Sequence, residues 1–428
     1  MVAETKVQFI CEENLNAPTL PNTWNSLIAV LDSALVTGLN LPAINNVQID
    51  GSVILINFSS AHQLKMFQII SLSGFSPVEL NTKWRIIGVP TSQQIAIDRL
   101  DTITAITTVG IANLSPLRYE KTFSATGKGV YRNANTEAEH RPFLRVDATL
   151  PAGWTTTYAK FARVAVMTEC TGIDDISSQY QMPFDASNPG KNWTVSGSGT
   201  SAGNCWAKWV WSGLNKALAS PNFDFTNGGI NGNRKWMIVG DEKAFFLIIQ
   251  DQYGTSIASS QVVYGFGVYE SLDATTLFPY FLASNAAQST ASAIIDSTST
   301  ANSVPFCGSF EQDASYNYRD CTNILSMNNN GATVSANTYF AKHASATLSG
   351  NVTAPHFIQI SGQIKGRIPH IYIPYSNFGT TYNNSIIIDD AAFISTPVFY
   401  RQDKIVQSWS QFYKNIGVPF YLGNLNDH

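Results

Sequence analysis

Short runs of β-branched and aromatic residues, broken by glycine, proline and asparagine, recur along most of this chain. In the first hundred residues such runs occupy positions 47–58, 66–72, 84–89 and 94–97. Runs of this length and composition are typical of β-strands, and the turn residues between them favour antiparallel neighbours. Residues 1–115 are therefore predicted to contain a small antiparallel sandwich or barrel.

One segment near the amino terminus breaks this pattern. Its apolar residues recur at helical spacing, at Trp24, Leu27, Ile28, Leu31 and Leu35. Asn22 and Thr23 precede the segment as candidate N-cap residues, and Gly38 ends it. One amphipathic helix is predicted here, as part of the same N-terminal domain.

Residues 116–428 form a longer and looser stretch, which begins where the strand-dense part stops at Pro116. Further strand candidates lie at 143–146, 161–166, 236–239, 244–249, 262–266 and 356–360. A second, larger β-rich domain is predicted, with residues 190–230 as the place for a further sub-boundary. The whole chain is expected to be mainly β and mostly antiparallel, sandwich-like or barrel-like, with one helix and long polar loops.

Neutral polar residues dominate the longest connections of this second domain. These connections lie at 194–203, 286–303 and 328–336. Connections longer than about 12–15 residues are uncommon in compact domains unless they are functional, disordered or ordered by a partner. We favour ordering by a partner for all three loops.

Charged residues make up only 13% of the chain, against roughly 25% in ordinary soluble domains, while apolar residues make up 44%. The net charge of −4 and the scattered lysines and arginines disfavour nucleic-acid binding. No apolar stretch approaches the ~20 residues of a membrane span, and Met1–Lys6 does not resemble a standard secretion signal. Surfaces rich in neutral polar groups can pack against one another, so the composition suits a subunit of an assembly.

The five cysteines, at positions 11, 170, 205, 307 and 321, lie far apart and form no CxxC pair. They are interpreted as reduced thiols of a chain made in the cytosol. Cys307 and Cys321 close a short tyrosine-rich loop, and pairing of these two thiols stays an open alternative.

Motifs that could carry catalysis or bind a metal are few and weak. Gly199–Gly203 matches G-x-S-x-G, but no convincing buried strand comes directly before it. The six histidines have no metal-binding spacing, and the adjacent pairs Asp174/Asp175 and Asp389/Asp390 favour turn or cap roles over a cation site. No catalytic residue, cofactor site or metal site is predicted, and the chain is expected not to be an enzyme.

Aromatic residues and one arginine supply the candidate binding positions. They are Trp193, Trp206, Trp209, Trp211, Tyr316, Tyr318 and Arg319. Buried aromatic rings provide core or interface area, whereas exposed rings can stack on sugars. A place in the core or at a subunit interface is favoured, and glycan binding is the alternative.

Two cations flank Gly366, namely Lys365 and Arg367, and Pro369 follows shortly after them. We predict a structural turn in which Gly366 adopts a backbone conformation that other residues resist. Arg367 is expected to pair with a neighbouring carboxylate, with phosphate contact as the alternative.

Four groups of residues stand in order between Tyr119 and Tyr372. They are Tyr119–Phe123 with Tyr131, Arg132 and Leu144–Asp147; Lys235, Trp236, Gly240, Asp241 and Ala244–Leu247; Tyr264–Gly267 with Ser271; and Ile364–Pro369 with Ile371 and Tyr372. Together they resemble a family of tailed-bacteriophage virion proteins of tail, baseplate or neck modules. The resemblance implies a structural role in a virion, with synthesis in the bacterial host cytoplasm, and it supplies no active site.

The leading hypothesis is a tail or baseplate component that forms a ring-like homo-oligomer and contacts other virion proteins. Binding of a host cell-surface glycan is the second hypothesis, and a neck or capsid position is a further alternative. A particle-borne hydrolase is the third class, but it would need a convergent carboxylate or Ser/His site, and the sequence supplies none. No cofactor, nucleic-acid partner or membrane span is expected.

Overall fold

The structure is a computed structural model that describes residues 2–184, 186–194, 207–213, 228–250, 261–287, 294–296, 306–308, 322–323, 353–360, 363–374, 384–388, 390–401 and 413–425. The chain is mainly antiparallel β, with 47% of residues in strands and 6% in helices. The described strands, numbered β1 to β28 in chain order, form four sheets. The predicted fold class, mainly β with one short helix, is confirmed.

Seven strands near the amino terminus form the N-terminal sheet. They are β2 (Leu39–Asn40), β3 (Ile44–Asp50), β4 (Val53–Phe58), β5 (Ile69–Ser73), β6 (Lys83–Thr91), β7 (Gln94–Asp98) and β8 (Ile111–Leu114). Their spatial order is β2-β8-β5-β6-β7-β4-β3, so β2 and β3 are the edges of the sheet. A 3₁₀ turn, Val78–Leu80, lies between β5 and β6.

The predicted helix is present and precedes this sheet. The α-helix α1 spans Ser26–Leu31 and continues as a π-helix over Asp32–Thr37, which ends at Gly38 with φ 69°. Four residues of α1 are buried: Leu27, Ile28, Val30 and Leu31. The N-cap residue is Asn25, with φ 72° and no side-chain cap, so the predicted capping by the pair at positions 22 and 23 is wrong.

Eight strands form the wide sheet. They are β9 (Tyr119–Ala125), β10 (Lys128–Asn133), β11 (Phe143–Asp147), β12 (Lys160–Met167), β13 (Gln181–Met182), β14 (Ala207–Ser212), β20 (Asn285–Ala287) and β21 (Ile294–Asp296). Their order is β21-β20-β14-β12-β11-β10-β9, with β13 beside β12. β12 is buried along its whole length, which explains why six of its eight residues are apolar and do not alternate with polar ones.

The helical segment is fixed to the wide sheet through Asp32. One carboxylate oxygen of Asp32 accepts a hydrogen bond from Lys121 Nζ at 2.9 Å, and the other accepts one from the Tyr131 hydroxyl at 2.8 Å. Burial, together with the charge of Asp32, raises the pKa of Tyr131 well above its usual range. The hydroxyl therefore keeps its proton and donates to the carboxylate.

Six strands form the central sheet. They are β1 (Gln8–Cys11), β15 (Trp236–Gly240), β16 (Ala244–Gln250), β17 (Gln261–Val268), β19 (Tyr280–Ala283) and β22 (Phe306–Gly308), in that spatial order. β1 comes from the amino terminus and pairs antiparallel with β15, with Phe9 opposite Val239. The first strand of the chain is thus inserted into a sheet built from residues more than two hundred positions away.

Seven strands form the C-terminal sheet. They are β18 (Glu270–Ser271), β23 (Thr322–Asn323), β24 (Thr353–Ile360), β25 (Gln363–Pro374), β26 (Asn384–Ile388), β27 (Ala391–Arg401) and β28 (Tyr413–Asn424). Their order is β23-β24-β25-β28-β27-β26, with β18 beside β25. The long hairpin of β27 and β28 pairs from Ala391 opposite Asn424 to Arg401 opposite Tyr413.

The central sheet is buried on both faces. Alternate residues of a strand point to opposite sides. On one side, Trp236, Ile238, Phe245, Leu247 and Ile249 pack into a core shared with α1, the N-terminal sheet and the wide sheet. On the other side, Met237, Val239, Ala244, Phe246 and Ile248 pack against residues of the C-terminal sheet such as Ile394 and Phe420. This burial explains why β15 and β16 contain continuous apolar runs rather than an alternating pattern.

A buried arginine joins the N-terminal sheet to two other parts of the chain. The Arg85 guanidinium is 1% exposed and donates to the backbone carbonyl oxygens of Glu4 at 2.5 Å, Phe67 at 2.7 Å and Val7 at 3.1 Å. It also donates to the carbonyl oxygen of Leu422 in β28. Burial lowers the pKa of Arg85 to about 10, which still leaves the side chain protonated at neutral pH.

The predicted division of the chain near residue 115 stays a prediction. The pairing of β1 with β15 and the contact of Asp32 with Lys121 both cross it. Within the long polar loop predicted at 286–303, residues 286–287 belong to β20 and residues 294–296 to β21, so the prediction is wrong there. The rest of that loop, residues 195–203 of the loop predicted at 194–203, and the loop predicted at 328–336 lie outside the described residues. In the described ranges, no helix is long and apolar enough to span a membrane.

Replacing Arg85 with methionine is expected to lower the free energy of unfolding by about 3 kcal/mol or more, because several buried carbonyl groups lose their donor at about 1–3 kcal/mol each. Urea unfolding followed by tryptophan fluorescence measures the change. Arg118→Met is the matched control, since its ion pair with Glu242 is half-exposed and such pairs contribute less than about 1 kcal/mol. Equal losses for the two variants would contradict the role given to Arg85.

Candidate functional site

A polar cleft of about 680 Å³, the junction cleft, lies where the N-terminal, wide and central sheets meet. Its walls come from the segment before β1, from β6, from the connection after β8, from the loop between β10 and β11, and from the turn between β15 and β16. Its ionisable side chains include Lys83, Arg118, His140, Asp241 and Glu242. Distant parts of the chain thus contribute charged groups to one cavity.

Asp241 is a structural carboxylate of the turn between β15 and β16. One of its oxygens accepts hydrogen bonds from the backbone N–H groups of Lys243 at 2.8 Å and Ala244 at 3.0 Å. The other lies 3.3 Å from Nε2 of His370 in β25. Burial by itself would raise the pKa of Asp241, but His370 and the two N–H groups outweigh it and lower the pKa. Asp241 is therefore ionised and holds the turn against the C-terminal sheet.

Glu242, the next residue, is bound from two sides. Arg118 Nη1 lies 2.9 Å from one carboxylate oxygen, and Asn135 Nδ2 donates to the other at 3.3 Å. Arg118 has a backbone φ of 69°, a left-handed conformation that is uncommon outside glycine. Its carbonyl oxygen accepts a hydrogen bond from Ala134 N–H at 3.0 Å. The bend before β9 and the end of β10 thus fix each other and aim Arg118 into the cleft.

Lys83 presents its amine to the same cleft. Within the part of the chain that the structure describes, no carboxylate oxygen lies within 4.0 Å of its Nζ atom. Burial lowers the pKa of Lys83, the positive charge of Arg118 lowers it further, and Glu242 partly opposes both. Such an amine loses its proton more easily than an exposed lysine and is the more nucleophilic for it.

His140 also lines the cleft, in the loop between β10 and β11. Its ring makes an edge-to-face contact with Tyr280, with ring centroids 6.0 Å apart. Burial lowers the pKa of His140, Glu139 opposes this shift, and Lys243 adds to it. The neutral ring is thus favoured at physiological pH.

Two acidic residues of the cleft each have a basic neighbour. Asp241 faces His370, and Glu242 faces Arg118, so these groups hold the walls together rather than converge on a common point. In the described ranges no group of three or more histidine, cysteine, aspartate or glutamate side chains could hold a metal ion. The cleft thus combines a half-buried lysine with the ion pair of Arg118 and Glu242.

We expect Lys83 to titrate below the usual lysine range. Reductive methylation with ¹³C-formaldehyde gives each lysine an NMR signal, and loss of one signal in Lys83→Arg assigns that of Lys83. Glu242→Gln should lower the pKa of Lys83 further, because it removes the opposing carboxylate. Glu137→Gln, at another lining position, should leave it unchanged. A Lys83 signal within the ordinary range, unaffected by Glu242→Gln, would contradict the assignment.

Three of the aromatic residues singled out in the sequence are buried. Trp193 is 3% exposed and donates from Nε1 to Gln181 Oε1 at 2.6 Å. Trp209 donates to the Ala283 carbonyl oxygen at 2.9 Å, and Trp211 is fully buried. Their rings leave no face on which a sugar could stack. The other four candidates, Trp206, Tyr316, Tyr318 and Arg319, lie outside the described residues.

The segment from Lys365 to Arg367 is part of strand β25, so the predicted turn is wrong. Gly366 lies opposite Ser271, and a Cβ atom there would come within 2.4 Å of the Glu270 carbonyl oxygen. Close approach of the β18 backbone, rather than an unusual backbone angle, explains the glycine. The expected partner of Arg367 is present, since its guanidinium lies 2.5 Å from a Glu270 carboxylate oxygen.

The adjacent aspartates take separate roles where they are described. Asp174 lies 2.5 Å from Lys128 Nζ, whereas Asp175 accepts hydrogen bonds from the Thr171 N–H and hydroxyl groups, both at 3.1 Å. Asp390 occupies a turn with φ 64°, and Asp389 lies outside the described residues. Gly199–Gly203, the weak match to a nucleophile elbow, also lies outside them.

Two cysteines have described side chains, and both are free thiols. Cys11 is fully buried in β1, with its sulfur 3.6 Å from Asn14 Oδ1, and burial raises its pKa to about 12. Cys170 is half-buried, and burial raises its pKa as well. The side chains of Cys205, Cys307 and Cys321 lie outside the described set, so the pairing of Cys307 with Cys321 stays an open alternative.

Cys11 is expected to resist iodoacetamide at pH 8 in the folded chain. Raising a thiol pKa from 9.0 to about 12 lowers the reactive thiolate fraction by about three orders of magnitude. Peptide mass spectrometry should find Cys11 alkylated at least roughly 100-fold more slowly in native protein than in urea. Comparable rates in both states would show that β1 is not held in the central sheet as described.

Sequence reasoning missed the residues of the junction cleft. Lys83 and Arg118 lie in separate apolar or proline-containing stretches and have no motif around them. A usable signal was the run Asp241–Lys243, three consecutive charges between two apolar strands in a chain with few charges. Nothing in the sequence joined that run to Arg118 or His140.

Comparison with known proteins adds no family assignment. No protein-family model matches the sequence, and no curated protein sequence matches it. The candidate site is therefore interpreted from its own geometry.

Proposed function

We propose that this chain is a structural subunit of a tailed-bacteriophage particle, part of the tail near its baseplate, which works through contacts with copies of itself and with other virion proteins. The observation that carries this proposal is an apolar cluster, Val78, Val109 and Ile111, at one end of the N-terminal sheet. Their exposed fractions are 74%, 42% and 61%. Exposed apolar side chains on neighbouring segments are the kind of surface that a protein partner can cover.

The three residues of the apolar cluster lie on two neighbouring chain segments. Ser76 and Thr108 form an isolated antiparallel bridge, which places Val78 and Val109 on neighbouring chain segments. Ile111 begins β8 opposite Ser73 of β5. Because β2 pairs only with Asn113 and Leu114, the start of β8 at Ile111 has no strand on its outer side in the described residues. Apolar side chains and unpaired backbone groups therefore coincide there.

Two further features support a contact function over a chemical one. Arg118 and Glu242 of the junction cleft pair with each other, and charged residues are scarce in the chain as a whole. The tail or baseplate setting comes from the resemblance described above. Residues that carry it, such as Tyr119, Tyr131, Trp236 and Tyr264, are buried core residues. These four positions of the resemblance therefore stabilise the fold.

Glycan binding is not supported by any described side chain among its candidates. Its described tryptophans, at positions 193, 209 and 211, are all buried. The hypothesis would have to rest on Trp206, Tyr316, Tyr318 or Arg319.

The proposal is tested by asking whether the chain enters the phage particle. A phage lacking its own copy is supplied with wild-type chain or with the double variant Val78→Asp, Ile111→Asp, and gradient-purified particles are quantified by mass spectrometry. We expect a fixed copy number of wild-type chain and at least a tenfold loss of the variant, since two charges oppose burial of the apolar cluster.

Leu272→Asp is the matched control, because Leu272 is equally exposed, at 67%, but lies beside the C-terminal sheet. It should enter particles normally. Circular dichroism should show the same melting temperature for all three chains. Absence of wild-type chain from purified particles would overturn the proposal.

A further inference from the structure

Strand β3 is an open edge of the N-terminal sheet. It pairs with β4 on one side, and no described strand lies on its other side. Asn46, Gln48 and Asp50 are exposed, whereas Val47 and Ile49 are half-buried and pack against the core. β3 has a β-bulge at Asn45, where it contains one residue more than β4 opposite it. From Asn46 to Asp50 the pairing with β4 is regular.

The turn between β3 and β4 determines which backbone groups point outward. Asp50 lies opposite Val53 across a two-residue turn, in which Gly51 has φ 59°. In such a hairpin the closing pair exchanges both backbone hydrogen bonds, and hydrogen-bonded pairs then alternate along the ladder. Asp50, Gln48 and Asn46 therefore bond to β4, and the N–H and C=O groups of Val47 and Ile49 face outward.

From Asn46 to Asp50 this edge lacks the features by which proteins usually prevent strand addition, and the bulge of β3 at Asn45 precedes this stretch. Such edges normally carry lysine, proline, inward-pointing charges or a bulge within the strand. From Asn46 to Asp50 the single charge is the terminal carboxylate of Asp50, and no lysine or proline is present. The strand is thus free to accept another strand.

We propose that β3 pairs antiparallel with β3 of a second copy of this chain, about a two-fold axis at Gln48. The inference rests on the proposed function as a self-associating subunit and names one of its contact surfaces. Val47 of each copy lies opposite Ile49 of the other, so their outward N–H and C=O groups form four hydrogen bonds. The same pairs cover the apolar area that the two side chains leave exposed.

The exposed face of this register is also self-complementary. Gln48 meets Gln48 of the second copy, and the two side-chain amides can donate to and accept from each other. Asn46 lies opposite Asp50, so its amide donates to a carboxylate. The two Asp50 carboxylates stay at opposite ends of the paired strands. No like charges are brought together.

A five-residue strand pair buries much less than the ~1,200 Å² of a stable interface. We therefore expect isolated chains to associate weakly, with a dissociation constant of roughly 10 μM to 1 mM. Tighter association would need the additional contacts of the particle.

Opposite charges placed at Asn46 test this register directly. In the dimer the pair of residue 46 with Asp50 occurs twice, because the two-fold axis repeats it. Asn46→Lys should therefore lower the dimer dissociation constant by roughly twofold to thirtyfold, and Asn46→Glu should raise it by a similar factor. Sedimentation equilibrium at low salt measures both. The difference between them should shrink in 0.5 M NaCl, because exposed charges are then screened.

Asn45→Lys is the control, since it adds the same charge outside the five paired residues and should lower the dissociation constant less than Asn46→Lys does. A wild-type chain that stays monomeric up to 1 mM would overturn the inference. So would Asn46→Lys and Asn46→Glu acting in the same direction. Entry of the chain into phage particles is a separate measurement and would be unaffected by either outcome.

Discussion

The Arg85 guanidinium donates hydrogen bonds to backbone carbonyl oxygens of Glu4, Val7, Phe67 and Leu422, which belong to three separate segments of the chain. No carboxylate takes part in these bonds. A buried guanidinium has to satisfy its donors, and these carbonyls satisfy them only when the three segments lie side by side. The relative positions of the amino-terminal segment, the N-terminal sheet and the β27–β28 hairpin follow from this constraint.

The rest of the architecture builds on that arrangement. With residues 4–7 held by Arg85, β1 continues directly into the central sheet beside β15, and the central sheet is then covered on both faces. Asp32 binds the helical segment to the wide sheet through Lys121 and Tyr131. The junction cleft is the space left where these layers meet. Its paired charges are thus part of the packing, and the apolar cluster and the β3 edge lie on the outside.

The sequence predicted those features that depend on local pattern. The helix, the strands at 236–239 and 244–249, and the mainly antiparallel fold class could be read from spacing and composition. Arg85 could not, because its partners are backbone carbonyls, which any residue provides. The cleft was missed for a similar reason, since Lys83, Arg118 and Asp241 meet only after folding. The predicted turn at Gly366 failed because its real neighbour, β18, lies about ninety residues earlier in the chain.

We propose that contacts between subunits are the function of this chain, and a cryo-electron microscopy map of the intact phage particle would reveal such contacts. We expect density for this four-sheet fold, repeated about a symmetry axis of the tail, with Val78, Val109 and Ile111 covered by a neighbouring subunit. Density that leaves these three side chains in open solvent, or a particle without this fold, would contradict it.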